Sequence, residues 1–250
     1  MRVYATYNVK GGVGKTSAAV NLAYLASREG STLLWDLDPQ AAATFLFRIR
    51  PRVKGGSKAL VRGARPLDAA IKGTDFDKLD LLPADFTYRR MDLVLDAAKK
   101  PTRQIARLLT PLAREYDTVF LDCPPSMSLA SENVLNAADT LIVPLIPTTL
   151  CTRTLDQLTG FVGAFDGRRP AIVAFFSMVD RRKRLHRDIV EHLPEERSDV
   201  ATAAVPALSL IEQMAVRRAP LPAYAPRSTA AQCYRDLWKE ISASGGEALK

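Results

Sequence analysis

A β-rich run near the start of the chain, "RVYATYN", passes directly into "VKGGVGKTS", Val9 to Ser17, and then into helical spacing from about Gly14 to Glu29. Strand, glycine-rich loop and helix in that order constrain the fold more than any other feature of the sequence. Glycines let backbone N–H groups come close to an anion, and a helix N-terminus turns the positive end of its dipole to the same point. The stretch reads as a phosphate cradle built from Lys10, Gly11, Gly12, Val13, Gly14, Lys15, Thr16 and Ser17. Lys15 stands where a lysine reaches β- and γ-phosphates, and the Thr16 hydroxyl suits a magnesium ion. The common spacing G-x-x-x-x-G-K-[ST] would put its first glycine at Val9, and a second lysine, Lys10, follows that position. One lysine per cradle is enough to meet the bound phosphates, so Lys10 requires a separate role.

The rest of the chain repeats the strand-then-helix rhythm. "STLLWDLD" precedes a helix from Pro39, "LDLLPA" precedes helices around 86–98 and 103–115, and "YDTVFLDCP" precedes a helix from Ser126. "TLIVPLI", a helix from Thr149, "AIVAFFSMV", a helix from about Leu185 and a last helix from Ser228 to Ile241 follow. Such alternation predicts a single α/β domain over 1–250: a twisted, mostly parallel sheet with helices on both faces, its ligands at the carboxyl ends of the strands. One segment breaks the rhythm. Residues 48–66 carry Arg48, Arg50, Arg52, Lys54, Lys58, Arg62 and Arg65 without an acidic residue, which predicts an extended basic loop, with room for a short helix.

Acids at strand ends add to the cradle. "WDLDPQ" aims Asp36 and Asp38 the same way, because strand side chains repeat every two residues, and "VFLDCPP" ends an apolar strand on Asp122. A carboxylate there can hold a water bound to magnesium, so Asp122, and also Asp38, are expected in the metal's outer shell. Asp36 is equally well read as a local cap. Cys123, Cys151 and Cys233 are odd in number and widely spaced, which indicates neither a disulfide framework nor a zinc site. No apolar run long enough to cross a membrane and no leader pattern precede the first strand, so a cytoplasmic location is expected.

Three motifs, "KGGVGKTS", "DLDPQ" and "FLDCPPS", together make the sequence resemble the ParA/MinD family of deviant Walker A ATPases, whose loop reads K-G-G-x-G-K-[ST]. The likeness runs over nearly the whole chain. It implies ATP and Mg²⁺ as cofactors, with Lys10 crossing the interface of an ATP-bound homodimer to touch the partner's nucleotide. It further implies that Asp38 orients the attacking water and that Met178 and Pro206 lie near the adenine. Many relatives read "DPQGNAT" and "IPR" where this chain has "DPQAAAT" and, at Val205 to Ala207, "VPA".

Within the family, a tail "SASGGEALK" without an apolar face argues against membrane attachment, and Cys123 has no mate suited to a bridging iron–sulfur cluster. A cradle at residue 9 leaves no expected room for an N-terminal DNA-binding domain. What remains resembles a short ParA-type protein, nucleoid-associated, that binds DNA without sequence preference in its ATP state. A ParB-like or other cargo adaptor would stimulate slow hydrolysis and so position a plasmid, a chromosomal region or a protein assembly. The excess of 35 Lys and Arg over 27 Asp and Glu suits such a partner. The expected DNA contacts are Arg181, Arg182, Lys183, Arg184 and Arg187, with Arg217 and Arg218. The alternative is a small-molecule synthetase on the same fold, of the dethiobiotin or cobyrinate amidation type.

Overall fold

The computed structural model describes residues 1–63 and 66–247, so Arg65 of the basic segment lies outside the described residues. Chain order begins β1 (Arg2–Thr6), α1 (Lys15–Ser27), β2 (Thr32–Asp36), α2 (Ala42–Leu46), α3 (Gly56–Val61), β3 (Lys72–Gly73), β4 (Leu79–Leu82), α4 (Met91–Asp96), α5 (Gln104–Leu109) and β5 (Thr118–Asp122). It continues with α6 (Leu129–Ala137), β6 (Thr140–Leu145), α7 (Cys151–Ala164), β7 (Ala171–Val179), α8 (Arg184–Glu196) and β8 (Val200–Pro206). The last elements are α9 (Ser209–Glu212), α10 (Met214–Arg217), α11 (Leu221–Tyr224) and α12 (Thr229–Glu247).

The strands form one sheet in the order β3-β4-β2-β5-β1-β6-β7-β8, parallel throughout except where β3 meets β4. Its central strands are apolar on both sides, as a sheet covered on both faces requires. Alternation along each strand divides the core. Val3 and Ala5 of β1, Leu33 and Trp35 of β2 and Val119 and Leu121 of β5 pack beneath α4 to α7 on one face. On the other, Tyr4, Leu34 and Phe120 pack under α1 and α12, where Tyr4 stacks on Phe120 at 5.2 Å and meets the edge of Trp238 at 5.5 Å. Such aromatic pairs add about 0.5–1.5 kcal/mol each to the burial of their area.

Several local expectations change. The strand β8 at the sheet edge and the two-residue β3 were not foreseen: "VATAAVP" is rich in alanine and short of the β-branched and aromatic residues that mark a strand. Helices over 86–98 and 103–115 are each broken. A 3₁₀ turn over Phe86–Arg90 leads into α4, and others with Pro101 and Pro111 at their starts flank α5, since proline cannot continue a helix from within. The 48–66 segment is packed and not extended: Val53, Leu60 and Val61 are buried, and the short helix α3 carries two of them.

Candidate functional site

Parallel pairing sets three side chains in one row. Thr6 of β1 and Asp36 of β2 each stand in register with Asp122 of β5, the strand between them. The loop 8–14 leaves β1 at the head of this row and returns as α1. Gly14 is the N-cap of α1 at φ 94°, and no side chain caps the helix, which leaves its first N–H groups to an anion. A Cβ at Gly14 would come within 2.7 Å of Ser177 Oγ, so glycine is required there twice over.

Residues that the sequence reading passed over brace this loop. Asn8 Nδ2 donates to Pro144 O at 2.8 Å, while Asn8 Oδ1 accepts from Lys10 N at 2.9 Å. Ser177 Oγ donates to Val13 O at 2.8 Å, tying the loop to β7. Both carried a signal of a kind: Asn8 is a polar residue where a strand meets glycines, and Ser177 is a lone hydroxyl in the apolar run "AFFSMV". Asn21 joins α1 to the later chain, its Oδ1 accepting from Leu221 N at 2.8 Å.

The two lysines occupy different places. Lys15 is buried, and its Nζ donates to Lys10 O at 2.8 Å. Burial pushes its ammonium below the usual lysine range, against the pull of Asp122, Cys123 and Asp38. Lys10 is exposed and stands outside the residues lining the cavity at the loop. That cavity, of about 370 Å³, is bounded by Gly11, Gly12, Gly14 to Ser17 and Asp38 at one end and by Met178, Pro206, Ala207, Leu208 and Ile211 at the other. Val13 is buried behind the loop, with only its carbonyl engaged by Ser177. Met178 is left-handed, at φ 57°, and exposed at the end of β7.

The acids divide by partner. Asp36 is buried and fully engaged: Oδ2 accepts from Thr44 N at 2.8 Å and Thr44 Oγ1 at 2.7 Å, and Oδ1 accepts from Asp38 N at 3.2 Å. Thr44 Oγ1 in turn accepts from Ala84 N at 2.9 Å, so Asp36 is the lock on the loop after β2, the cap-like of its two readings. Burial, offset in part by these bonds, pushes its carboxyl up to about 6. Asp122 is fully buried with little compensation. Thr6 Oγ1 reaches its Oδ1 at 3.3 Å, and its Oδ2 has no hydrogen-bond partner of normal geometry. Burial first and then the neighbouring Asp36 hold its carboxyl well above the usual range, with the Thr16 and Thr6 hydroxyls acting the other way. Asp38 sits at the cavity wall and uses Oδ1 to accept from Gln40 N at 2.9 Å. The orphaned buried oxygen of Asp122, with the Thr16 hydroxyl and the Asp38 carboxylate on the cavity wall, supplies oxygen donors of the kind a hard divalent cation takes alongside phosphates and water, so these residues fit magnesium, while Asp36 is engaged elsewhere.

The basic residues expected at DNA fall into two groups. Arg181, Arg182, Lys183, Arg184 and Arg187 are exposed where β7 turns into α8; Arg182 makes a two-pronged pair with Asp180 at 2.9 and 3.0 Å, and Arg184 lies 3.5 Å from Asp188. Arg217 is exposed at the end of α10. Arg218 is tied back, its guanidinium 4.5 Å over the Phe45 ring and its Nε donating to Phe45 O at 2.9 Å. Arg48 Nη2 donates to Arg217 O at 3.1 Å, which carries the start of the basic segment to this second group.

Comparison with known proteins gives the family. A family described as an AAA domain matches residues 1–172. The sporulation initiation inhibitor protein Soj of Bacillus subtilis is 30% identical over 98% of this chain and 99% of its own length. The chain belongs to the ParA/MinD family of P-loop ATPases. Among solved structures, a variant of Cyanothece McdA in complex with ATP superposes with a TM-score of 0.81 at 18% identity, over 98% of this chain and 96% of that one. Cobyrinic acid a,c-diamide synthase of Mycobacterium smegmatis, solved with ADP and magnesium, superposes with a TM-score of 0.74 at 28% identity, over 87% of this chain and 91% of the synthase. Among the described residues, no helix is long and apolar enough to cross a membrane.

Proposed function

We propose that this ParA-type positioning ATPase binds ATP and Mg²⁺, dimerises in that state, and holds DNA through backbone phosphates until an adaptor stimulates hydrolysis and releases it. The observation that carries the reading is the division between the lysines. Lys15 is buried against the loop and within reach of phosphates bound there, whereas Lys10 projects from the same loop outside the cavity. A cation held there suits a nucleotide belonging to another subunit. Next to it in the chain Val9 is 37% exposed, and with Met127, 59% exposed, it borders a mixed recess of about 290 Å³ that also carries Asn8, Thr154 and Gln157, a surface that a second copy would cover.

Within the site, the open N–H groups of α1 and the Lys15 ammonium would hold the phosphates, Thr16 and Asp122 the metal, and Met178 and Pro206 the adenine side. Lys15 must exchange its bond to the Lys10 carbonyl for phosphate oxygens, which brings charge to the group whose burial disfavours it unpaired. Asp38, on the wall beside the phosphates, would orient the attacking water. A bound magnesium ion would neutralise phosphate charge and relieve the repulsion between Asp36 and Asp122. A carboxylate is a modest activator, in keeping with slow turnover.

The test is retention on random-sequence DNA across a salt series with ATP, with ADP and without nucleotide. Dimerisation doubles the phosphate contacts, so ATP should tighten binding and roughly double the slope of log affinity against log salt. Charge reversal at Arg182 or Lys183, or at Arg217, should weaken all sequences alike. Equal retention in the three states would overturn the switch. The likeness to cobyrinic acid a,c-diamide synthase supports a second reading, an amidating enzyme of small acids. That reading requires ATP turnover to depend on an added metabolite and to ignore DNA.

A further inference from the structure

A second cavity lies away from the nucleotide site and shares none of its lining residues. It is a groove of about 910 Å³ between α3, α4 and α5, more than twice the size of the nucleotide cavity. Its walls carry Lys58, Arg62, Arg90, Lys99, Lys100 and Arg103, and among the described residues none of these six side chains makes a hydrogen bond or an ion pair. A seventh cation, Arg107, donates to Val61 O and serves to hold α3 against α5. Among the described residues no acid lines the groove. Asp92 and Asp96 of α4 stay outside its lining, and Asp92 accepts from Ala130 N at 2.8 Å. Some arginines outside the groove do pair with acids, as at Arg48, Arg168, Arg182, Arg184 and Arg197. What sets this groove apart from the basic turn at Arg181 to Arg187 is that its unpaired cations rim a concave surface with an apolar floor.

The floor is apolar. Val94, Ala97 and Ala106 line it, and Leu93 stands 71% exposed in the middle of α4 while Met91 and Leu95 on the opposite side are buried in the core. Charge alone would suit any polyanion, but a greasy floor between cationic rims requires an occupant with one apolar face and acidic flanks. A DNA duplex offers phosphates and no such face. An extended strand has no sheet edge to join here, since helices form all three walls. A helix lying among helices packs at about 8–10 Å between axes, which a groove of this size admits.

We propose that this groove is the docking site for an acidic amphipathic helix of a partner protein, its apolar stripe over Leu93 and its carboxylates on the rim of lysines and arginines. Opposite charge speeds the encounter, and burial of the Leu93 patch holds the complex. The inference does not rest on the DNA-binding reading, and its test uses neither nucleotide nor DNA turnover.

The probe is a labelled synthetic peptide of about 18 residues, long enough to form a helix, with leucines on one helical face and glutamates on the other. Fluorescence anisotropy should show saturable binding to the full-length protein. Arg62→Glu combined with Arg103→Glu should weaken it about tenfold or more, and so, separately, should Leu93→Asp. All these side chains are exposed, and unchanged thermal midpoints will show that the variants fold. A scrambled peptide of the same composition keeps the charge and loses the stripe, and should bind about tenfold more weakly. Absence of saturable binding overturns the proposal. Equal binding of the scrambled peptide, or indifference to Leu93→Asp, also overturns it in favour of a bare polyanion site, as does displacement by random duplex DNA that depends on the same arginines.

Discussion

Replacing Asp122 by asparagine should stabilise the protein when no nucleotide or metal is bound. In the wild-type site a fully buried carboxylate stands in register with a second buried acid, has one long hydrogen bond of 3.3 Å, and leaves Oδ2 without a partner. An unsatisfied buried acceptor costs about 1–3 kcal/mol, and like charges add to that. Asparagine has the same shape, no charge, and a donor that can face Asp36. At pH 7 in the presence of a chelator, the gain should be about 1–3 kcal/mol, or roughly 2–12 °C in the thermal midpoint for a chain of this size. The pH dependence has a definite sign. The Asp122 carboxyl is raised above its unfolded value, so the native state takes up a proton first and the wild type recovers stability as pH falls. The advantage of Asp122→Asn must therefore be present at neutral pH and shrink on acidification, as the wild-type carboxyl is neutralised. Urea unfolding at pH 7 and at pH 5, with nucleotide affinity measured with and without magnesium, tests this. The variant should also lose the magnesium-dependent part of its affinity. An Asp122→Asn protein less stable than wild type at pH 7, or a gain that does not change with pH, would refute the picture of an uncompensated charge kept for a cation.

Two further outcomes follow from the same site. Ala41 sits at φ 58° as the N-cap of α2, and the left-handed region costs a residue with a Cβ about 1–2 kcal/mol. Ala41→Gly should accordingly raise stability by up to about 1 kcal/mol after the loss of chain entropy, read as the urea midpoint at unchanged slope; a destabilised variant would deny the strain. Asp38→Ala should bind ATP and dimerise but fail to hydrolyse, since this side chain borders the cavity while the loop is braced by others; hydrolysis at the parent rate would remove it from the mechanism.

How much of this was legible in the sequence depends on how local the cause is. The cradle and the row of acids could be read because strand, glycines and helix are contiguous and the acids close apolar runs, so that parallel pairing brings Asp36 and Asp122 together without further information. The braces could not. Asn8 meets Pro144 and Ser177 meets Val13 across more than a hundred residues, and neither residue type announces such a partner. Asp36 remained ambiguous because its lock is made with Thr44 and thence with Ala84, on separate elements. Alanine hid β8, where burial at a sheet edge and not propensity decides the strand. The basic segment misled through its charge: Val53, Leu60 and Val61 are buried, Ile49 is partly so, and together they fold it onto the core.

The division of labour between Lys10 and Lys15 is tested most directly by molar mass in solution, measured by light scattering with a nonhydrolysable ATP analogue and magnesium. Lys15→Ala should fail to bind nucleotide and remain a monomer. Lys10→Ala should bind the analogue, because its side chain lies outside the cavity, yet also remain a monomer where the wild type is a dimer. A Lys10→Ala protein that dimerises with ATP analogue as the wild type does would contradict the account.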